Sequence, residues 1–147
     1  MVKKAIMYQT NFQTKEELFQ GVTKFLVDKG WATMEFEAAL REREERFPTG
    51  LPSDPPVAIP HSDGTYAKED VIVGILNEQP LEFYQMGTNK AKLLTPRIIF
   101  VLLVRDKVTH LDQLQRIIEK AKNHEFLTRL QATSDEAQFK AIIQEEL

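Results

Sequence analysis

Cysteine is absent from the 147-residue chain, which excludes a disulfide, a thiolate metal site and a cysteine nucleophile. Long apolar runs are also missing: none approaches the roughly 20 residues needed to cross a bilayer. The opening MVKKAIMYQTN carries too short an apolar run for the core of a signal peptide. No excess of positive charge exists either. The formal net charge is −3, with acids and bases interleaved, so the basic stripe of a nucleic-acid binder is lacking. No glycine-rich loop of the phosphate-cradling type occurs, so no nucleotide in a P-loop is expected, and no other cofactor is implied. There is no internal repeat and no low-complexity tract. What is present is ordinary for a globular protein, with 42% hydrophobic and 28% charged residues. One cytoplasmic, soluble domain over residues 1–147 with a single sizeable core is expected.

Periodicity orders the chain into alternating elements. Residues 5–8, AIMY, suit a short first strand. In 14-TKEELFQGVTKFLVDKG-30, Thr14 and Glu17 have capping-box spacing, and Leu18, Val22, Phe25 and Leu26 share one helical face. A second helix is predicted within 33–47, closed by Pro48-Thr49-Gly50. The loop 48-PTGLPSDPP-56 holds four of the seven prolines and reads as a rigid surface connection that cannot feed a sheet ladder. Strands are predicted at 57–59, 70–76 and 98–104. The last of these is apolar throughout, as in a strand buried on both faces. Helices follow at 109–122, about 124–131, and from Ser134 to the end. Helices before, between and after strands indicate an α/β fold, a mixed sheet flanked by helices on both faces.

Three polar side chains stand out on this frame. His61 follows Val57-Ala58-Ile59-Pro60, where Pro60 is expected to stop the strand and turn the imidazole outward at the sheet edge. The plainer reading is a loop histidine bonded to a nearby carbonyl. Arg43 falls inside the stripe of Phe36, Ala39, Leu40 and Phe47, whereas Arg41, Glu42, Glu44, Glu45 and Arg46 fall mostly outside it. An inward arginine is costly unless an anion meets it, although a stem packed on the core with a snorkelling head is an equal alternative. Thr109 reads as an N-cap, with Asp112 reaching back and His110 at the first helical position, where unpaired amides attract phosphate. An ordinary helix-start histidine is the simpler account. His124 reads as a surface residue. Together, His61, Arg43 and His110 suggest a phosphoryl site: a neutral imidazole as nucleophile, a guanidinium and a second ring N–H neutralising the oxygens. A metal-dependent hydrolase on His61, Asp63 and His110 is a weaker competitor, since His-x-Asp alone is a poor ligand spacing.

The chain resembles the enzyme IIA domains of the bacterial phosphoenolpyruvate-dependent sugar phosphotransferase system, in the fructose/mannitol superfamily. The residues that carry the likeness are 43-REERFPTGL-51, 57-VAIPH-61, 82-EFYQMG-87, the run 98-IIFVLLV-104 and 110-HLDQL-114. FPTGL leans toward the galactitol-type branch. The resemblance implies a phosphocarrier that takes a phosphoryl group from HPr on His61 and passes it to a cysteine of enzyme IIB, which feeds a membrane enzyme IIC. Arg43 would steady the phosphoryl group and His110 would donate to its oxygens; the run 41-REREER-46 offers other arginines, but alignment on Thr49-Gly50 selects Arg43. With no cysteine on this chain, the acceptor must lie on another polypeptide. A concave partner site with an apolar rim is expected around His61, with Leu51 and Val57 as candidates for that rim, although both suit the core equally. A regulatory module of the same fold, sensing phosphorylation state without feeding a sugar, is the alternative.

Overall fold

A computed structural model describes residues 2–147. In order, its elements are β1 (Lys3–Thr10), α1 (Lys15–Asp28), α2 (Phe36–Arg46), β2 (Gly50–Leu51), β3 (Val57–Ala58), β4 (Val71–Asn77), β5 (Phe83–Tyr84), β6 (Leu93–Leu94), β7 (Ile98–Leu103), α3 (Lys107–Ala121), α4 (His124–Gln131) and α5 (Glu136–Glu146). Five strands form one mixed sheet in the order β1-β4-β7-β3-β2, and β5 pairs with β6 in a small separate hairpin. β4 runs antiparallel to β7, while β3 runs parallel to it.

The continuous apolar run of β7 now has its physical reason. Side chains alternate across a strand, and both faces of this one are covered. Ile98, Phe100 and Leu102 pack with Ile117, Phe126, Phe139 and Ile143 of α3, α4 and α5. Ile99, Val101 and Leu103 pack with Phe19, Val22, Phe36 and Leu40 of α1 and α2. Each such side chain removed from water contributes about 2 kcal/mol, so the central strands are the most firmly held part of the sheet.

Side-chain caps set the starts of every helix but α2. Thr14 Oγ1 accepts from the Glu17 amide at 3.1 Å, as the spacing predicts, but the Glu17 carboxylate reaches the amide of Gln13 rather than that of Thr14. α3 begins earlier than predicted. Asp106 is its cap, accepting from the Thr109 amide at 2.8 Å, so the helix runs from Lys107. An aspartate placed three residues upstream offers a charged acceptor and outcompetes the threonine.

The proline-rich loop does feed the ladder. Gly50 and Leu51, between Pro48 and Pro52, form β2 and pair antiparallel with Ala58 and Val57. The rest of the loop keeps its expected irregular course. Gly50 is required here because a Cβ would lie 2.6 Å from the carbonyl oxygen of Tyr84, where the β5–β6 hairpin crosses.

Candidate active site

β3 and β7 are parallel, so their C-terminal ends reach one edge of the sheet, and α3 departs from that same edge. Clefts at such edges are where α/β folds place ligands. Pro60 does not release the chain as expected. Its carbonyl accepts from the Leu102 amide at 3.1 Å, and His61 still bridges Leu102 in parallel register. Only the donor that residue 60 would have given to β7 is lost, and the bond accepted by its carbonyl keeps the strand in register. His61 is therefore held along the sheet and is only 5% exposed.

The His61 ring makes one hydrogen bond, with Nδ1 2.6 Å from the carbonyl oxygen of Ile59. A carbonyl can only accept, so Nδ1 carries the proton and Nε2 keeps a free lone pair. Burial pushes the His61 pKa down to about 4, and the neighbouring Arg43 charge and His110 add to this, against the opposing Ile59 hydrogen bond. The ring is neutral at physiological pH. His110 lies beside it, ring centroids 5.2 Å apart and inclined by 60°. Its pKa is also lowered, by burial and by Arg43, with Asp63 and the Val104 carbonyl pulling the other way.

His110 is not at a free helix terminus. Its backbone amide donates to the Asp106 carbonyl at 2.8 Å, the first bond within the helix, so only its ring faces the site. The turn after His61 is pressed against the start of α3: a Cβ on Gly64 would lie 2.3 Å from the Arg105 carbonyl oxygen. This close approach brings the two histidines together.

Arg43 completes the group from the last turns of α2. Its guanidinium stacks 4.5 Å from the Phe47 ring centroid, and Nη1 is buried with no hydrogen-bond partner among the described residues. A buried cationic donor left unpaired costs more than an ordinary lost hydrogen bond, which marks a place prepared for an anion. Arg43, His61 and His110 line one hollow of about 430 Å³ together with Asp63, Arg105, Lys107 and Leu111. An adjoining hollow of about 720 Å³ is shared by Arg43 and His61 with Phe47, Met86 and Lys90. Thus the structure brings together all three residues selected from the sequence. Among the described residues, no group of three or more histidine, aspartate or glutamate side chains is arranged to hold a metal ion, the His61–Asp63–His110 set included.

The family model described as phosphoenolpyruvate-dependent sugar phosphotransferase system, EIIA 2, matches residues 1–146. The chain belongs to that family. It is a phosphotransferase component of the enzyme IIA type, and its fold agrees. IIA mannitol from Escherichia coli superposes with a TM-score of 0.76 at 18% identity, over 94% of each chain. The mannitol enzyme IIA from the same organism, solved in complex with phosphorylated enzyme IIB, superposes equally well at 18% identity, covering 95% of this chain and 94% of that one. Nitrogen regulatory protein IIA-Ntr from Neisseria meningitidis gives a TM-score of 0.71 at 23% identity, covering 95% and 91%. No curated protein sequence matches the chain.

Several residues around this IIA site lie elsewhere than the sequence suggests. Val57 is fully buried between β2 and β7 and belongs to the core, and Leu51 is half-buried against it. The exposed apolar rim of these hollows is built by Phe47 (59%) and Leu111 (56%). Phe47 leaves the apolar stripe because α2 ends at Arg46, so its side chain caps the guanidinium rather than the core. Glu44 is the residue that sequence reasoning missed. It is buried, with Oε2 accepting from the Thr49 amide at 2.7 Å and Oε1 from the Thr49 hydroxyl at 2.8 Å. Burial raises its pKa, the Thr49 bonds opposing. The signal was available: Phe36, Leu40 and Glu44 are spaced by four and share a face.

Proposed function

We propose that this IIA chain is a phosphocarrier in which Nε2 of His61 takes a phosphoryl group from phosphorylated HPr. It then yields that group to a cysteine of a separate enzyme IIB. The observation that carries the reading is the buried, unpartnered Nη1 of Arg43 beside two neutral imidazoles. In the transfer, the Nε2 lone pair forms the new N–P bond as the donor's N–P bond breaks. Nδ1 keeps its proton on the Ile59 carbonyl. Arg43 and the His110 ring take up charge on the three spectator oxygens, which is most of what phosphoryl transfer asks of a protein. The phosphorylated ring is then cationic, which favours departure of the group toward a thiolate. The whole of residues 1–147 acts as one cytoplasmic IIA unit, with a membrane enzyme IIC served indirectly.

The rim of Phe47 and Leu111, flanked by Arg105 and Lys107, is suited to a small, transient protein contact, since carrier and partner must separate after each turnover. The cargo is assigned to the galactitol-like class on the strength of 47-FPTGL-51. Incubation with phosphoenolpyruvate, enzyme I and HPr should load acid-labile, base-stable phosphate, which a galactitol-type IIB cysteine then removes. Absence of loading contradicts the carrier reading. Loading without transfer to any IIB cysteine favours the regulatory alternative; the Neisseria neighbour is itself called a nitrogen regulatory protein.

A further inference from the structure

We infer that Glu44 is a positioning residue for His61, acting through a chain of hydrogen bonds that fixes which ring nitrogen is free. Glu44 accepts from both the amide and the hydroxyl of Thr49. The Thr49 carbonyl accepts from the Ile59 amide at 3.2 Å, and the Ile59 carbonyl accepts from His61 Nδ1 at 2.6 Å. Thr49 and Ile59 are both buried, so water cannot replace either link. Each bond holds a residue whose following peptide unit makes the next. The carboxylate on α2 thereby sets the direction of the Ile59 carbonyl, and that carbonyl sets the tautomer of the ring. Outer groups that hold a reactive histidine in one tautomer are often as important to its chemistry as the groups that touch the reactant.

The surroundings of Glu44 give a buried acid no other employment. Among the described residues it has no cationic partner within ion-pair distance, unlike Glu37 and Glu45, which pair with Arg41 and Lys90. Its hydrogen bonds are the two from Thr49. An acid kept buried for two donors of one loop residue is holding that loop in place. The adjacent Arg43 faces the anion while Glu44 faces the scaffold, so neighbouring residues on one helix hold the phosphoryl group and the nucleophile separately.

The proposal rests on His61 as acceptor, and its test separates the two. In unphosphorylated protein, ¹⁵N NMR of the His61 ring reports the tautomer without any transfer. The wild type should show the Nδ1–H form alone. Glu44→Ala should show a mixture of both forms and a phosphoryl-uptake rate lowered about 10- to 100-fold, with KM for HPr unchanged because the rim is intact. Glu44→Gln should restore the single tautomer and most of the rate: its amide oxygen accepts from the Thr49 amide, and the hydroxyl can turn to accept from its NH2 group. Thr49→Val, which keeps the side-chain shape, should give a smaller loss and a detectable second tautomer, and it serves if Glu44→Ala does not fold. A pure Nδ1–H ring with wild-type uptake in folded Glu44→Ala or in Thr49→Val overturns the assignment. So does a Glu44→Gln protein as impaired as Glu44→Ala. If wild-type protein takes no phosphate, the carrier reading fails while the tautomer comparison still decides the role of Glu44.

Discussion

Two histidines in this protein make the same bond and differ in everything else. His61 Nδ1 lies 2.6 Å from the Ile59 carbonyl, and His124 Nδ1 lies 2.6 Å from the Asp54 carbonyl. In both cases the partner is a carbonyl, which can only accept, so Nδ1 is the donor. Yet His124 opens α4 with its ring in solvent, its Nε2 near the Thr128 hydroxyl, and the Asp54 carboxylate 3.6 Å away. His61 is enclosed and faces a second imidazole and an unsatisfied guanidinium. A correctly oriented imidazole is therefore common. What sets the proposed phosphoryl acceptor apart is the positive, enclosed setting built around it.

The comparison breaks most severely at His61 itself. His61→Ala should abolish phosphoryl uptake from HPr, read as loss of acid-labile label. Next comes a pH effect on folding. The His61 pKa is lowered to about 4, so between that value and its unfolded value of about 6.5 the unfolded chain binds a proton the folded chain refuses. Stability should then rise with pH across that window and level off above it, by on the order of 3 kcal/mol for this group. Glu44, raised by burial, contributes with the opposite sign. Urea unfolding of wild type and His61→Ala at several pH values isolates the histidine, since the variant should lose the rising component.

Smaller effects follow outward from the proposed nucleophile. Arg43→Ala should slow uptake about 100-fold, the scale of removing one preorganised donor from a developing charge. Arg43→Lys should recover only part of this, because a point charge cannot form the planar fork. His110→Ala should cost about tenfold, one hydrogen bond to a charged group. At the far end, His124→Ala should leave uptake unchanged. A measurable loss there would erase the distinction between the two rings.

How much of this was legible in the sequence follows from the range of the forces involved. Helical and strand periods are local, so α1, β4, β7 and the closing helices could be read from spacing alone, as could the inward aim of Arg43. The two-residue strands β2, β5 and β6 are too short to carry a period and exist only because other backbone lies alongside them. Thr109 was a reasonable cap in isolation, but Asp106 is a better one, and competition between caps is decided by the turn they both could close. Whether Val57 belonged to the rim or to the core stayed open because a short apolar run does not say which of its faces meets a neighbour. The 60° meeting of His61 and His110 joins distant parts of the chain, depends on the contact of Gly64 with Arg105, and has no local signature.

The most direct measurement is ³¹P and ¹⁵N NMR of the protein loaded by HPr, with the modified residue mapped by mass spectrometry. One phosphoryl group bonded to Nε2 of His61, with Nδ1 still protonated and the Arg43 guanidinium N–H signals shifted on loading, is the predicted result. Phosphate on Nδ1, or on His110 or His124, would contradict the account.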